Sequence, residues 1–191
     1  IATQAQLFER CLVTASGLER VLGDLLAENL LFGSAVESRF SEEGLTRNDL
    51  FNQFLRQEEL MEPLVRLGLR FAERILDIFG SLSILPQNIP LTREEKEALQ
   101  QAVTNAAQHR PANLSERHRR RLLGLALLYI PAVHKLVDIP ESLTRRVVAG
   151  RKKLMENLKK EAPKAVQFYR PDVYMPDASI QQNIIFGRIT S

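Results

Sequence analysis

Tryptophan is absent from this chain of 191 residues, and cysteine occurs once, as Cys11. A single thiol excludes an internal disulfide, so a reducing cytosol is the expected setting and apolar packing must hold the fold together. No glycine is followed by Lys-Ser or Lys-Thr, which excludes the loop whose backbone amides and lysine neutralise a nucleotide's phosphates. His109, His118 and His134 have neither an i, i+4 spacing nor the cysteine nearby, so no zinc constellation is expected and the histidines read as bystanders. The longest apolar run, 122–133, contains Gly124 and Pro131 and falls short of the roughly 20 residues a membrane span needs. No secretory leader is recognisable, although a chain opening on Ile1 is expected to be cut from a longer one. Strand and helix do not alternate, no heptad run persists, and there is no low-complexity tract.

Apolar residues make up 45% of the chain, enough at this length to bury a core in one domain or two small ones. The net charge of +3 is too small to imply nucleic acid by itself. Its distribution is uneven: residues 111–164 hold thirteen basic and five acidic side chains, a local net of +8. One basic face is therefore expected, suited to an acidic protein, anionic lipid or RNA.

Read in order, 1–11 is weakly helical. Leu18, Val21, Leu22, Leu25 and Leu26 then recur at helical spacing until Gly33 stops the run. Residues 34–47 are polar and contain Gly44, predicting a loop with a short turn, and Thr46 with Asp49 offers a cap for the helix bearing Leu50, Phe51, Phe54 and Leu55. The longest helical candidate is 58–81, with Leu60, Leu64, Leu67, Phe71, Ile75, Leu76 and Phe79 on one stripe and Pro63 in its first turn. Pro86 and Pro90 make 83–91 the best internal boundary.

Thr92 and Glu95 form a capping box for a helix reaching about Gln108, whose thin face of Ala98, Leu99, Ala102, Val103 and Ala106 predicts a peripheral position. Ser115 caps the next helix, where Leu122, Leu123, Leu125, Leu127 and Leu128 nearly encircle the axis and predict a central one. Pro131 ends or kinks it. After Pro140, 141–161 reads as a cationic amphipathic helix with Leu143, Val147, Leu154 and Leu158 inward. Residues 166–169 have strand-like composition and predict an edge or a remnant of a sheet. The expected fold is mainly α: an irregular multi-helix bundle with at most a short strand near the C-terminus, as a single helical domain over 1–191 with a possible sub-boundary at 83–91.

Two stretches resemble each other. Leu26-Ala27-Glu28-Asn29-Leu30-Leu31-Phe32-Gly33 parallels Ile180-Gln181-Gln182-Asn183-Ile184-Ile185-Phe186-Gly187, with aliphatic residues exchanged only for aliphatic ones. Physically, the second is a short helix with a cap at Asp177 or Ser179, Ile180, Ile184 and Ile185 on one side, and Gly187 closing the turn. Residues 178–187 resemble the part of an ABC-transporter ATPase domain that follows the Q-loop, where S/T-I-x-x-N-I-x-F-G patterns recur. The wider segment 163–191 shares this likeness, and 71–74 and 168–174 extend it weakly.

The arrangement resembles a group of bacterial ABC-type ATPase components in which a long helical segment is inserted between similar flanks. That resemblance implies a parent protein that uses ATP and Mg to drive transport, with the rest of its ATPase domain and a membrane-spanning domain or subunit as partners. It also implies a cytoplasmic position at the inner face of the membrane, and a partner-coupling role for Ile180, Asn183, Ile184 and Phe186. The chain departs from the family in lacking the phosphate loop, the Leu-Ser-Gly-Gly-Gln signature and an apolar run ending in Asp-Glu, and none of Arg170, Pro171 and Asp172 supplies the Q-loop glutamine. It is therefore expected to be non-catalytic alone, with no cofactor or metal of its own, and to act as an interaction or regulatory insertion. The alternative is an unrelated helical module whose basic surface grips RNA, an acidic protein or an anionic membrane.

Other candidates have plain explanations. Glu42-Glu43, Glu58-Glu59 and Glu94-Glu95 read as helix starts, where carboxylates meet the helix dipole favourably without any acid–base role. Arg119, Arg120 and Arg121 form a basic patch that reads as a solvated face or a phosphate-binding one. No aromatic residues interleave it, which weighs against single-stranded nucleic acid. Cys11 reads as an inert thiol.

Overall fold

A computed structural model describes residues 26–79, 92–108, 114–129 and 136–168. The chain there is mainly helical. Helix α1 (Leu26–Leu31) leads into strand β1 (Gly33–Ala35), followed by a 3-10 turn (Ser38–Phe40) and the short α2 (Glu42–Leu45). Then come α3 (Asp49–Gln57), α4 (Met61–Phe79), α5 (Arg93–Gln108), α6 (Glu116–Leu127), α7 (Glu141–Glu161) and strand β2 (Val166–Phe168).

Helix α4 is apolar at helical spacing, and Leu64, Leu67, Phe71 and Ile75 are buried as that spacing requires. It forms the most extensive helix pair with α6, whose Leu122, Leu123, Leu125, Ala126 and Leu127 are all buried, so α6 is the central element its leucines predict. Gly68 makes the crossing possible, because a Cβ there would sit 2.7 Å from the carbonyl carbon of Leu122. Helix α5 covers α4 and α6 with only Leu99 and Ala102 fully buried and is peripheral, as expected. Helix α7 buries Leu143, Val147, Leu154 and Leu158 and packs along α1.

The predicted caps hold at two helices and move at a third. The Ser115 hydroxyl accepts from the His118 amide, and Thr92 and Glu95 exchange both bonds of a capping box. Asn48, not Thr46, caps α3: its Oδ1 accepts from the Phe51 amide while its Nδ2 donates to the Arg39 carbonyl, which satisfies a side chain only 8% exposed. Helix α4 starts at Met61 because Glu59 takes a left-handed φ of 52° that no helix admits, leaving Glu58 and Glu59 in the turn before it. At 19 residues α4 is also shorter than the 21 residues of α7.

The predicted loop at 34–47 is more ordered than its composition indicates. It contributes β1, the 3-10 turn and α2, tied down by Phe40 and Leu45 in the core. The boundary at 83–91, the weakly helical 1–11, the helical pattern from Leu18 to Leu25, His109, His134, Cys11 and the second flank at 180–187 lie outside the described residues.

Tyr129 closes the open end of α6. Its ring is fully buried and packs at a tilt against Phe71 with centroids 4.5 Å apart, while its hydroxyl donates to the Val137 carbonyl and accepts from the Val137 amide at 2.9 Å. Burial raises its pKa above the ordinary 10.0, opposed by the backbone bonds at Val137 and Leu136. The unfolded chain therefore loses this proton first. The stabilisation is fully present below pH about 10 and is lost as pH rises through the folded pKa. Tyr129→Phe is expected to cost about 1 to 3 kcal/mol at neutral pH by leaving both Val137 groups unpaired. It should also flatten the alkaline decline of stability in urea melts; an unchanged midpoint would mean that water replaces the hydroxyl.

Candidate functional site

The two strands are the only sheet among the described residues, and they join the beginning of the described chain to its end. They pair antiparallel with Gly33 opposite Phe168, Ser34 opposite Gln167 and Ala35 opposite Val166. Beyond the ladder, the amides of Val36 and Glu37 both donate to the Ala165 carbonyl, at 2.9 and 3.2 Å. The described residues between 36 and 165 thus leave and return through a two-stranded stem.

Local chemistry explains this turn of the chain. Helix α1 stops because Phe32 enters the left-handed region at φ 48°, so the residue with positive φ is the phenylalanine and not the glycine that the sequence suggests. Gly33 is required for a different reason: a Cβ there would lie 2.6 Å from the Gln167 carbonyl oxygen and 2.9 Å from the Phe168 Cα. The guanidinium of Arg151, a residue 7% exposed, sits 5.3 Å from the centre of the Phe32 ring, and Lys159 Nζ lies 5.7 Å from that of Phe168. Such cation–aromatic contacts are stronger where water is excluded, as at Arg151. Both cations belong to α7, which also packs on α1, where Leu26 and Leu30 are buried. One helix thus holds both sides of the stem, a coupling between 32, 151, 159 and 168 that sequence spacing does not reveal.

The arginine patch divides. Arg119 is largely covered and pairs with Glu62 of α4, Arg120 reaches Glu116 at 3.9 Å, and Arg121 is half-buried. On α7, Lys153 meets Glu58 at 2.7 Å, and Arg146 donates to the carbonyls of Glu58 and Glu59 at 2.8 and 2.6 Å. The Glu58-Glu59 pair therefore clamps α7 to the turn before α4 instead of opening a helix. Lys152, Lys160 and Lys164 stay exposed.

Among the described residues no His, Cys, Asp and Glu side chains group as a metal site, and no helix is long and apolar enough to cross a membrane. The partner-coupling residues Ile180, Asn183, Ile184 and Phe186 lie outside the described residues. Comparison with protein-family models, curated proteins and solved structures finds no match.

Proposed function

We propose that this chain is a helical insertion, with its flanks, from an ABC-type transporter ATPase component. The insertion is an interaction or regulatory module, and the ATP and Mg sites belong to the surrounding ATPase domain. The observation that carries this reading is the pairing of Gly33 with Phe168. An inserted domain leaves and rejoins its host at neighbouring points, and here the exit is the last residue of one flank and the return opens 168–174, the segment that resembles the same host. Residues 26–33 pack on α7, so the first flank is continuous with the insertion. The parent would work at the cytoplasmic face of a membrane with a membrane-spanning partner.

The experiment is an excision. In the parent, Asn-Gly replaces 36–165, joining Ala35 to Val166. These two are already opposite each other, and a two-residue turn of that composition closes an antiparallel pair. The shortened parent is expected to fold and keep basal ATP hydrolysis, while the 191-residue chain alone neither binds MgATP tightly nor hydrolyses it. A shortened parent that is insoluble, or micromolar MgATP binding by the isolated chain in calorimetry, would sink the proposal.

A further inference from the structure

We propose that the cleft between the middle of α4 and the first turn of α7 is a binding site for a small organic anion, a phosphate monoester or carboxylate attached to an apolar body. The cleft is open to solvent and has a volume of about 450 Å³, within the range of about 300 to 1,000 Å³ typical of small-ligand pockets. Its walls are of two kinds. Pro63, Leu69, Pro140 and Leu143 supply the apolar surface that dominates the lining, and Arg66, Arg70 and Arg146 border it, with no Asp or Glu among the lining residues.

These arginines are incompletely used. The Arg66 side chain makes no hydrogen bond or ion pair among the described residues. Arg70 donates from Nη2 to the Asp138 carbonyl at 3.3 Å, and Arg146 is anchored through Nη2 to the carbonyls of Glu58 and Glu59 and pairs with the Glu59 carboxylate at 3.5 Å. Each guanidinium carries five donors in a planar fork that matches carboxylate and phosphate oxygens. An anchored arginine gives up less side-chain freedom on binding than a mobile one. Arg66 and Arg70 lie four residues apart on one face of α4, and no carboxylate lies between them to neutralise the pair. Ser142, in the first turn of α7, adds a hydroxyl on the positive end of a 21-residue helix. Three arginines, two of them in no ion pair among the described residues, around an apolar floor match an anion that has a hydrophobic tail or ring. A bare inorganic ion would leave the floor uncovered.

The test is titration of the full chain with octyl phosphate kept below its micellar concentration, read by calorimetry and by the methyl signals of Leu69 and Leu143. Inorganic phosphate is the tailless probe. Octyl phosphate is expected to shift both leucines and to bind at least about tenfold more tightly than inorganic phosphate, since the buried tail adds affinity with each methylene. Arg66→Ala, at an exposed position, should weaken binding about tenfold, the worth of one charged hydrogen-bonding partner, without moving the melting temperature.

Ser142→Asp separates binding from folding. A carboxylate in the first turn stabilises α7 yet repels an incoming anion, so this variant should melt no lower and lose binding. Vesicles of phosphatidylcholine with and without phosphatidic acid identify the source: capture competed by octyl phosphate assigns a membrane lipid, and no capture assigns a soluble anion. Unmoved Leu69 and Leu143 signals, or an affinity unchanged in both variants, would overturn the proposal. The site does not depend on the ATPase reading, because it is tested on the isolated chain.

Discussion

Phe71→Ala is expected to destabilise the helical body by about 3 to 5 kcal/mol, a large share of the roughly 5 to 15 kcal/mol that holds a domain folded. Phe71 is 1% exposed, belongs to the buried stripe of α4, and packs at a tilt against the Tyr129 ring. Its removal takes away buried apolar area and the support of a tyrosine whose hydroxyl secures the chain at 137. A double-mutant cycle of Phe71→Ala with Tyr129→Ala, followed by urea melts, isolates the pair. Direct aromatic contact predicts a coupling of about 0.5 to 1.5 kcal/mol, and additive losses would mean that the two rings act independently.

Gly68→Ala follows, with an expected loss of about 3 kcal/mol from one added methyl. Alanine is the better helix former by about 0.5 to 1 kcal/mol, so local propensity favours the substitution. Packing opposes it and wins. The new Cβ would overlap the backbone carbonyl of Leu122, and no rotamer change relieves a clash between main chains. Helices α4 and α6 must move apart along the contact that forms the centre of the core. Gly124→Ala on the facing helix is the control: its Cβ would meet only Thr46 Cγ2, at 3.4 Å. That variant should gain about 0.5 to 1 kcal/mol from propensity alone. If both glycines respond alike in thermal melts, the close approach at Gly68 does not limit the helix crossing.

These two glycines mark the limit of what sequence conveys. Both lie inside apolar helical patterns, and nothing in their neighbours distinguishes the one under a crossing backbone from the one that meets only a side-chain methyl. Features set by local chemistry were legible. Pro140 followed by a regular apolar stripe placed α7 at 141–161, and Ser115 and Thr92 named their own helix starts. Features set by distant pairing were not. Residues 33–35 read as the edge of a polar loop because their partners are 166–168, more than a hundred positions away. Asn48 outcompeted Thr46 as a cap because its amide could also reach the Arg39 carbonyl. Leu125 and Phe71 are buried as their patterns predict, whereas Leu128 is only half-buried because it sits past the last turn of α6.

The anion cleft was hidden for the same reason. Arg146 belonged to a basic stretch that could be counted, but Arg66 and Arg70 looked like the ordinary solvated side of α4. Only the approach of α7 turns the three into one group. The basic patch at 119–121 illustrates the reverse, since a conspicuous run of charge is largely spent on Glu62 and Glu116.

The stem at 33–35 and 166–168 has a mechanical corollary. A load that separates the flanking chains pulls residues 33 and 168 in opposite directions along the line of their hydrogen bonds, because antiparallel bonds run perpendicular to the strands. Such a ladder opens like a zipper, one rung at a time, starting at Gly33 and Phe168 and ending where Ala165 receives the amides of Val36 and Glu37. The helix pair α4 and α6 lies outside that force path, since both helices fall between the two strands in the chain. Tension on the flanks is therefore met by the packing of α1 on α7, three residue pairs and two aromatic–cation contacts before it reaches α4 and α6.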